Sequence, residues 1–438
     1  MNARQAAFRI LFSVTERHEY LHLALKKYHF DEPQKQRFVT ALVSAVLENY
    51  YKINYVLGRF IKPDRTDPEL LTVLRIGAAQ ILEMNGVADH AAVNESVKLA
   101  AAIQPRARNF VNAVLRNVVR TKDDVRYPDA RADFTRYLHV RYSYPLWICR
   151  YFLRQYGPDL TEKLLSYHRS HDLTGIRLVH PPQGPVPYEP GIYLDDAAYI
   201  RGAERLDRMP AFKNGEITAQ SESSMMCVRA AGIRPGDRVL DLCAAPGGKT
   251  AYAAQLAFPG QVTACDLHEH RVSLIEETAA RLGLSNVRTL CTDAGAPHPE
   301  WQEVFDVVLV DAPCSALGLL YRKPDLKIFK KQKDLEELAE IQRRILKSAA
   351  GCVAPGGVLI YSTCTMDDME NQENALWFAR THPEFSQSSL ADLLPGRIGE
   401  RGIPGWVQLL PPIDNVDGFF IARFVKHADT AGKKSAGT

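Results

Sequence analysis

Several features that would at once define the class of this protein are missing from its sequence. The eight cysteines form no C-x-x-C pair and show no zinc-ligand spacing, which argues against a structural metal site. No segment approaches the roughly 20 apolar residues that a membrane-spanning helix needs. The apolar stretch after Met1 is interrupted at Arg4 and Arg9, so it does not resemble a signal peptide. We therefore expect a cytoplasmic protein with free thiols that binds neither a metal nor a membrane.

The net charge is also small, with a formal value of +3. A charge of this size does not by itself indicate a nucleic-acid-binding protein. The distribution of the charge is more informative. Residues 101–170 contain 13 Lys and Arg against 6 Asp and Glu, which leaves the rest of the chain slightly acidic. A basic block within a nearly neutral chain is typical of a patch that binds a polyanion.

A chain of 438 residues is too long for one ordinary domain and suggests two or three. Over residues 1–125, apolar side chains recur at the three- and four-residue steps of a helix, and proline or Asn-Gly breaks separate the helices. The recurring positions fall within residues 42–60, 71–82, 93–100 and 110–118. We predict an all-helical bundle for this region.

Residues 126–212 combine basic and aromatic side chains and then turn to short apolar runs. The first part contains Tyr137, Arg141, Tyr142, Tyr144, Trp147, Arg150, Tyr151 and Arg154. This mixture suits RNA, because bases stack on aromatic rings while arginines follow phosphates. Linker helices with aromatic rings in the core and arginines in solvent fit equally well. The apolar runs 176–179 and 192–194 predict strands of a small α+β module, with a turn or linker at the Pro- and Gly-rich segment 181–190.

From residue 213 to residue 438, continuous apolar strands alternate with helices. This alternation predicts a mostly parallel, Rossmann-like sheet that is covered on both faces. Strands are predicted at residues 239–240, 262–265, 287–291, 307–310 and 357–361, and a late strand at 418–423. Helices are predicted from residue 250, at 273–281 and at 334–353.

A polar cluster follows each of the first four predicted strands, at the edge where a doubly wound sheet binds its ligands. The first cluster begins at Asp241 and contains paired glycines, which let the backbone approach a ligand, and then a helix start that suits an anion. Asp266 follows 19 residues after Gly247, where a carboxylate accepts the hydroxyls of a ribose. Asp293 follows the third strand, within reach of an adenine edge, and Asp311 follows the fourth.

These clusters predict a nucleoside-type cofactor. The loop lacks the G-x-G-x-x-G spacing of a dinucleotide site, and a tight turn without a ligand would not need acidic residues after three successive strands. The candidate cofactor-binding residues are Cys243, Ala244, Ala245, Pro246, Gly247, Gly248, Lys249, Asp266, Asp293 and Asp311.

Two cysteines differ from the rest by their position. Cys314, in the run Asp-Ala-Pro-Cys-Ser, follows the fourth strand, and Cys364, in Ser-Thr-Cys-Thr, follows the fifth. Both thiols should therefore face the cleft that holds the cofactor. The ordinary role of a cysteine is that of a small buried apolar residue. We expect that role for Cys149, Cys227, Cys265, Cys291 and Cys352, and expect Cys243 to line the cofactor loop without reacting.

Two thiols beside such a cofactor suit methyl transfer to carbon 5 of a cytosine. That carbon has no lone pair, but addition of a thiolate to carbon 6 makes it enamine-like and nucleophilic. A lowered pKa is expected at the attacking thiol, because free cysteine titrates near pH 8.5. Asp311 is placed to hydrogen-bond the ring nitrogen and the exocyclic amine. Lys249 either stabilises charge there or forms a salt bridge with Asp311 or Asp241, and the residues alone leave open which thiol attacks.

These motifs resemble the bacterial small-subunit ribosomal RNA cytosine-5 methyltransferases of the RsmB (Sun or Fmu) type. The resemblance covers the glycine loop, both cysteine motifs, and residues 321–325 (Tyr-Arg-Lys-Pro-Asp) and 417–420 (Asp-Gly-Phe-Phe). The helical N-terminal region, with residues 92–95 (Ala-Val-Asn-Glu) and 110–116 (Phe-Val-Asn-Ala-Val-Leu-Arg), resembles the NusB-like RNA-binding domain that is fused to these enzymes.

The resemblance implies S-adenosyl-L-methionine (SAM) as the cofactor and 16S ribosomal RNA as the partner, before subunit assembly buries the target base. It implies that Cys364 adds to carbon 6 and that Cys314 assists release. We expect a monomer, and we expect the target base to be flipped out of any stack, which costs least in unstructured RNA.

Two departures from the family pattern accompany the resemblance. The family has Gln-Asp where this chain has Gln220-Ser221, so a contact there is expected to be lost, and the module at residues 173–212 is short, which puts its RNA contacts in question. Alternative functions are methylation of transfer RNA or of another ribosomal site, and a non-catalytic NusB-like RNA-binding factor. A nucleotide-binding oxidoreductase or a small-molecule methyltransferase would leave the two thiols and the basic region unexplained.

Overall fold

The helical N-terminal region, the small α+β module and the mostly parallel sheet that the sequence predicts are all present in a computed structural model, which describes residues 2–28, 30–167, 173–202, 206–296 and 298–428. The chain divides into two units. One, the helical unit, contains Met1–Tyr167 together with Leu320–Lys331, and the other, the catalytic unit, contains His168–Leu319 and Gln332–Thr438. The three-part division at residues 125 and 212 stays a prediction. None of the helices in the described ranges is both long and apolar enough to cross a membrane.

The helical unit contains nine helices within the described part of residues 2–167. They are α1 (Ala3–Arg17), α2 (Leu21–Lys26), α3 (Pro33–Glu48), α4 (Tyr50–Leu57), α5 (Pro68–Glu83), α6 (Asp89–Ile103), α7 (Arg108–Thr121), α8 (Phe134–Arg141) and α9 (Leu146–Ser166). Helix α5 is buried over most of its length and forms the centre of the bundle. Its N-terminus is satisfied by Asp67, which accepts the backbone N–H groups of Glu69 and Leu70.

The basic and aromatic segment forms α8 and α9, and the structure favours the core interpretation for its central rings. Tyr144 and Tyr151 are buried, whereas Arg141, Arg150 and Arg154 are exposed. These tyrosines therefore serve the packing of the helices, and buried rings are not free to stack on bases.

The small module is an antiparallel sheet with a short helix beside it. Its elements are β1 (Leu173–Leu178), β2 (Glu189–Pro190), β3 (Ala197–Arg201), α10 (Pro210–Lys213) and β4 (Ile217–Ala219), and the strand order is β2-β3-β1-β4. The strand predicted at residues 192–194 is wrong. The backbone N–H groups of Ile192, Tyr193 and Leu194 instead donate to the carboxylate of Glu222 at 2.5–3.0 Å, so they are not available to a sheet.

The catalytic region continues with a larger sheet and its helices. Its first elements are α11 (Glu222–Ala231), β5 (Val239–Asp241), α12 (Gly248–Ala257), β6 (Val262–Asp266), α13 (Glu269–Arg281), β7 (Val287–Cys291) and β8 (Phe305–Asp311). The chain then forms α14 (Leu326–Phe329), which belongs to the helical unit. The catalytic region resumes with α15 (Lys333–Cys352), β9 (Val353–Thr363), α16 (Gln372–Thr381), β10 (Phe385–Gln387), α17 (Gly396–Arg401), β11 (Trp406–Leu409), α18 (Pro411–Asp414) and β12 (Phe419–Lys426).

The strand order is β10-β12-β9-β8-β5-β6-β7, with β11 also paired to β12. The five strands from β9 to β7 are parallel, and β10, β11 and β12 add antiparallel strands at one side. β8 and β9, the strands that precede the two cysteine motifs, are direct neighbours.

One cysteine was wrongly predicted to be buried. Cys291 is exposed, because it ends β7, the edge strand of the sheet, whose residues are half-buried or exposed. Cys149, Cys227, Cys265 and Cys352 are buried as expected.

Residues 320–331, which we call the strap, follow the loop after β8 in sequence but pack within the helical unit. The carboxylate of Asp325 accepts the N–H of Leu21, and the backbone carbonyl of Lys327 accepts the hydroxyl of Tyr51 at 3.0 Å. The indole of Trp147 donates to the carbonyl of Lys330. The strap is therefore part of the core of the helical unit.

Candidate active site

Four polar residues end the parallel strands at one edge of the sheet. Asp241, Asp266, Asp311 and Thr363 are the last residues of β5, β6, β8 and β9. Because these strands are parallel and adjacent, the loops that follow them lie along a single rim, as doubly wound sheets arrange their ligand sites.

Backbone hydrogen bonds hold the glycine loop in place. The N–H of Ala244 donates to the carbonyl of Cys265 at 2.8 Å, and the N–H of Gly247 donates to the carbonyl of Ala244 at 2.8 Å. Gly247 has a φ of 102°, and a Cβ there would lie 3.1 Å from Cα of Ile275. Only glycine satisfies both restrictions at this position, and helix α12 begins at the next residue.

Two buried carboxylates at this rim each keep one oxygen without a hydrogen-bond donor among the described residues: Oδ1 of Asp241 and Oδ1 of Asp266. The other oxygen of Asp266 accepts the N–H of Ala245 at 3.3 Å, and Arg271 lies 3.3 Å from Oδ1 without a hydrogen bond to it. A buried carboxylate oxygen without a donor is costly unless a ligand supplies one. The hydroxyls of a bound nucleoside would do so at Asp266, and the site therefore fits SAM.

Asp241 and Cys243 differ from ordinary acidic and thiol groups in their ionisation. Burial raises the pKa of Asp241 to about 6, although its Oδ2 accepts the hydroxyl of Thr250 at 2.7 Å. Burial and the neighbouring carboxylates raise the pKa of Cys243 well above the usual range, so it stays a neutral thiol.

Asp293 lies outside this buried group. Its side chain is exposed, its Oδ1 accepts the N–H of Gly295 at 2.8 Å, and Arg344 lies 3.7 Å from its Oδ2. The carboxylate thus stabilises its own loop and stays accessible at the open side of the rim.

The thiols of Cys314 and Cys364 face each other, with the two sulfur atoms 3.3 Å apart. Both residues are half-buried. The hydrogen bond to Cys364 and burial raise the pKa of Cys314 well above the usual range. Cys314 therefore holds its proton, and either thiol can donate in the contact between the two sulfur atoms.

Three polar contacts tie the loop of Cys314 to that of Cys364. The hydroxyls of Ser315 and Thr365 are 2.7 Å apart, the N–H of Ala312 donates to the carbonyl of Ser362 at 3.0 Å, and the N–H of Gly318 donates to the carbonyl of Cys364 at 3.1 Å. The spacing of the two thiols therefore follows from the contact between the loops.

The backbones of Gly318 and of Gly418, the residue before β12, approach each other closely. The N–H of Gly418 donates to the carbonyl of Gly318 at 3.1 Å, and a Cβ on Gly318 would lie 2.1 Å from the carbonyl oxygen of Gly418. Any side chain on Gly318 would push these two segments apart and displace the carbonyl of Cys364.

Lys249 and Asp311 form an ion pair beside the thiols. The Nζ of Lys249 lies 2.6 Å from Oδ2 of Asp311, and the hydroxyl of Ser362 donates to Oδ1 at 3.0 Å. Burial alone would lower the pKa of Lys249, but the Asp311 carboxylate outweighs it and the pKa is raised. Lys249 is thus charged, and its Nζ also lies 5.1 Å from the ring centre of Phe419.

A buried polar network lies behind the Cys314 loop. One oxygen of Glu370 accepts the N–H of Ser315 at 2.9 Å and the amide of Gln342 at 2.8 Å. The same Gln342 amide also donates to the carbonyl of Pro313, and its oxygen accepts from Tyr361 and Asn374. No motif indicated these positions, although Glu370 lies only six residues after Cys364.

A second network supports the Cys364 loop. The amide of Asn371 donates to the carbonyl of Thr365 at 3.1 Å and to Gln408 at 2.7 Å, and the hydroxyl of Thr363 donates to Asn371. Gln408 in turn donates to the carbonyls of Thr365 and Phe419. Both cysteine loops are therefore fixed by buried amides.

Gln220-Ser221, where the family has Gln-Asp, lies at the start of helix α11. Ser221 occupies the position before α11, and its hydroxyl accepts the N–H of Ser224 at 3.4 Å. Ser221 therefore caps this helix, and the loss of a contact made by the family's aspartate stays a prediction. Gln220 accepts from Arg177 at 2.9 Å.

The described residues contain no group of three or more His, Cys, Asp and Glu side chains that could hold a metal ion.

Comparison with known proteins shows which family this chain belongs to. The family model for 16S rRNA methyltransferase RsmB/F matches residues 230–425, and the NusB family model matches residues 1–120. The probable ribosomal RNA small subunit methyltransferase B of Bacillus subtilis is 36% identical over 445 residues, which cover 97% of this chain and 99% of that protein. Ribosomal RNA small subunit methyltransferase B of Vibrio cholerae is 29% identical over 437 residues, with 96% and 97% covered.

The crystal structure of PH0851 aligns with a TM-score of 0.79 and 25% identity over 96% of this chain and 98% of that chain. Because the similarity to the Bacillus relative extends over nearly the whole of both chains, this chain belongs to the RsmB family of SAM-dependent 16S ribosomal RNA methyltransferases, with a NusB-family N-terminal region.

Proposed function

We propose that this protein transfers a methyl group from SAM to carbon 5 of a cytosine in 16S ribosomal RNA, with Cys364 as the covalent nucleophile. The 3.3 Å contact between the sulfur atoms of Cys314 and Cys364 supports a reaction that uses both thiols, and the family resemblance implies that Cys364 is the thiol that attacks. SAM, when bound, supplies the electrophilic methyl group.

The thiolate of Cys364 adds to carbon 6 of the flipped cytosine, which forms a carbon–sulfur bond and makes carbon 5 nucleophilic. After carbon 5 has gained the methyl group, it gives its proton to solvent water, and the electron pair of that carbon–hydrogen bond forms the double bond between carbons 5 and 6. The carbon–sulfur bond then breaks, and the electron pair returns to the sulfur of Cys364. We assign assistance in this release to Cys314, whose sulfur lies close enough to exchange a proton with Cys364.

Asp311 and Lys249 stabilise charge during the addition. The Asp311 carboxylate accepts hydrogen bonds from the exocyclic amine of the base and from the ring nitrogen once that nitrogen carries a proton, and this contact stabilises the positive charge that makes carbon 6 electrophilic. Lys249 keeps the carboxylate oriented through the 2.6 Å ion pair, and Ser362 holds its second oxygen. Removal of such a group typically lowers the rate by about 10²–10⁴-fold.

The contacts that we propose for SAM involve the residues at the carboxyl ends of the parallel strands. Asp266 accepts the ribose hydroxyls through its Oδ1, which no described donor occupies, and the loop from Cys243 to Lys249 approaches the rest of the nucleoside and the amino-acid part. Asp293 contacts the adenine edge from the open side. Asp266→Ala should abolish SAM binding, and isothermal calorimetry measures this directly.

The target must be a cytosine whose unstacking costs little free energy, which favours 16S RNA before subunit assembly. Bisulfite sequencing of ribosomal and transfer RNA from cells with and without the protein tests the substrate. We expect one cytosine of 16S RNA to lose protection when the protein is absent or carries Cys364→Ala. A change confined to transfer RNA would assign the enzyme to the alternative substrate.

We further propose that residues 1–125 bind RNA, that 126–212 link the two ends of the molecule and that 213–438 perform the chemistry, as a monomer without a metal. Methyl transfer in excess EDTA should therefore equal that in buffer alone. Loss of activity in EDTA that Zn²⁺ or Mg²⁺ restores would contradict the absence of a metal.

A further inference from the structure

Two thiols in contact can form a bond with each other as well as with a substrate. The sulfur atoms of Cys314 and Cys364 are 3.3 Å apart, and a disulfide requires a separation of about 2.05 Å. The two sulfur atoms therefore have to approach by only about 1.3 Å, which small rotations about the side-chain bonds can supply. A disulfide is thus within reach of these side chains as they lie in the structure.

Backbone contacts hold the two thiols at this spacing. The N–H of Ala312 donates to the carbonyl of Ser362 at 3.0 Å, and the N–H of Gly318 donates to the carbonyl of Cys364 at 3.1 Å. The strands that precede the two loops, β8 and β9, are also paired directly. Because the loops are fixed in this way, each thiol meets the other at a high effective concentration, which favours a bond within the protein.

Both thiols are also accessible to a small oxidant. Cys314 and Cys364 are half-buried, and Pro313 next to them is exposed. Their loops follow the carboxyl ends of β8 and β9, at the edge of the sheet where ligands enter. Hydrogen peroxide is little larger than water, so a site that admits a nucleoside also admits peroxide.

The other cysteines are less suited to this chemistry. Four of them are buried: Cys149, Cys227, Cys265 and Cys352. Cys243 is half-buried, and its raised pKa keeps it a neutral thiol, which reacts slowly with peroxide. Cys291 is exposed, but β7 lies three strands from β8, which at the usual strand spacing is roughly 14 Å.

We propose that Cys314 and Cys364 form a reversible disulfide when the protein meets hydrogen peroxide, so that Cys314 protects Cys364 from irreversible oxidation. A thiol that captures an oxidised neighbour in this way is a resolving cysteine. Formation of the disulfide does not depend on the proposed function. Only the accompanying loss of methyl transfer rests on Cys364 being the nucleophile.

The first step oxidises Cys364, because the raised pKa of Cys314 keeps the thiol of Cys314 protonated. The thiolate sulfur of Cys364 attacks one oxygen of peroxide, and the O–O bond breaks. The hydroxide that leaves takes up a proton and becomes water. Cys364 is thereby oxidised by two electrons to a sulfenic acid, and peroxide is reduced.

In the second step the sulfur of Cys314 attacks the sulfenic sulfur of Cys364. The S–O bond breaks, and the hydroxide that leaves combines with the proton that Cys314 loses, which gives a second water. The contact with the Cys364 thiol is the largest cause of the raised pKa of Cys314, so its loss on oxidation lets Cys314 ionise more readily. An external dithiol reverses the disulfide by thiol–disulfide exchange.

The disulfide has a specific effect on the enzyme. With both sulfur atoms in the bond, neither can add to carbon 6 of a base. The residues that we assign to SAM take no part in the bond, so the cofactor should still bind. Without Cys314, further peroxide would convert the sulfenic acid to a sulfinic acid, which a dithiol does not reduce.

The test uses the full chain, reduced, freed of reductant and then treated with a small excess of hydrogen peroxide. Mass spectrometry of the alkylated and trypsin-cut protein should show a cross-link between the peptides of Cys314 and Cys364, lighter by two hydrogen atoms. Methyl transfer should fall in proportion to the cross-linked fraction, whereas the dissociation constant for SAM should not change. Dithiothreitol should restore both thiols and the activity.

Cys314→Ser removes the resolving thiol and keeps a side chain of similar size. In this variant the same peroxide should leave Cys364 with two added oxygen atoms, and dithiothreitol should not remove them. Cys291→Ser is the matched control, because it removes the exposed thiol at the far edge of the sheet. Its cross-link and its methyl transfer should match those of the wild type.

Three outcomes decide the matter. Wild-type protein in which peroxide converts Cys364 to a sulfinic acid without a cross-link would overturn the proposal. So would a Cys314→Ser variant whose Cys364 stays reduced under the conditions that cross-link the wild type. If the cross-link forms and reverses but the reduced protein transfers no methyl group, the proposed function fails and the resolving role of Cys314 holds.

Discussion

At the scale of single residues, the loop that carries Cys314 is held by side chains that touch neither sulfur atom. Glu370 is fully buried and receives both the N–H of Ser315 and the amide of Gln342 on one oxygen. Burial raises its pKa to about 7, and the neighbouring carboxylate of Asp367 adds to this shift. Glu370 is therefore a positioning residue whose charge costs stability.

Glu370→Gln should stabilise the catalytic unit at pH 8 and remove a pH dependence. The unfolded chain loses the glutamate proton near pH 4.5 and the folded chain near pH 7, so wild-type stability falls as the pH rises through this window. A shift of this size corresponds to about 3 kcal/mol. Thermal unfolding of wild type and variant between pH 4.5 and 8 measures the difference.

Glu340→Gln is the matched control, because Glu340 is exposed on the same helix that carries Gln342. It should leave the pH dependence of stability unchanged. A Glu370 variant whose unfolding curve keeps the wild-type pH slope would show that the carboxyl group does not titrate in this range.

At the scale of elements, the active site is a contact between three loops: those after β8 and β9 and the one before β12. Gly318→Ala should separate them, because the new Cβ would lie 2.1 Å from the carbonyl of Gly418 and 2.8 Å from that of Cys364. Overpacking of this kind costs about 1–3 kcal/mol. We expect a lower thermal midpoint and at least tenfold slower methyl transfer at saturating SAM and RNA.

Gly184→Ala serves as the control for Gly318, since a Cβ at Gly184 meets nothing within 4 Å. Its stability and activity should match the wild type. Normal activity of the Gly318 variant would mean that the loops tolerate a shift and that the 3.3 Å sulfur separation is not required.

The strap contains a buried lysine whose charge is unfavourable. The Nζ of Lys327 lies 3.8 Å from the ring centre of Tyr144, and burial lowers the pKa to about 8, although Glu48 and Cys149 oppose the shift. Below pH 8 the folded protein therefore carries the full cost of a buried charge. This cost decreases as the pH rises from 8 to 10.5, the range in which the unfolded chain binds more protons.

Lys327→Met keeps the apolar stem and removes that charge. At pH 7 we expect the helical unit to gain about 1–3 kcal/mol, less than the shift alone implies because the contact with Tyr144 is lost. The gain should shrink towards pH 10. The exposed Lys323→Met, on the same strap, should change stability little, and a destabilised Lys327 variant at pH 7 would contradict the account.

At the scale of the whole molecule, the sequence predicts what depends on local pattern. Continuous apolar runs predict the parallel strands, and the glycine and cysteine motifs fall at their carboxyl ends because strand, loop and helix succeed one another in the chain. Patterns could not predict that the N–H groups of residues 192–194 would be taken by Glu222, since that carboxylate lies about 30 residues away.

The strap and the Glu370 network were missed for the same reason. Asp325 meets Leu21 across 304 positions of the chain, and Gln342 meets Glu370 across 28. Neither pairing leaves a periodic or compositional signal. The exposure of Cys291 depends on β7 being an edge strand, which follows from strand order and not from the apolar run itself.

The proposed mechanism gives the two thiols different roles: Cys364 attacks the base, and Cys314 assists its release. The most direct measurement compares covalent protein–RNA adducts of Cys314→Ala and Cys364→Ala after incubation with 16S RNA and SAM, on a denaturing gel. We predict a retained RNA–protein band for Cys314→Ala and none for Cys364→Ala, which should also transfer no methyl group. A band from the Cys364 variant and none from the Cys314 variant would reverse the two roles and contradict the account.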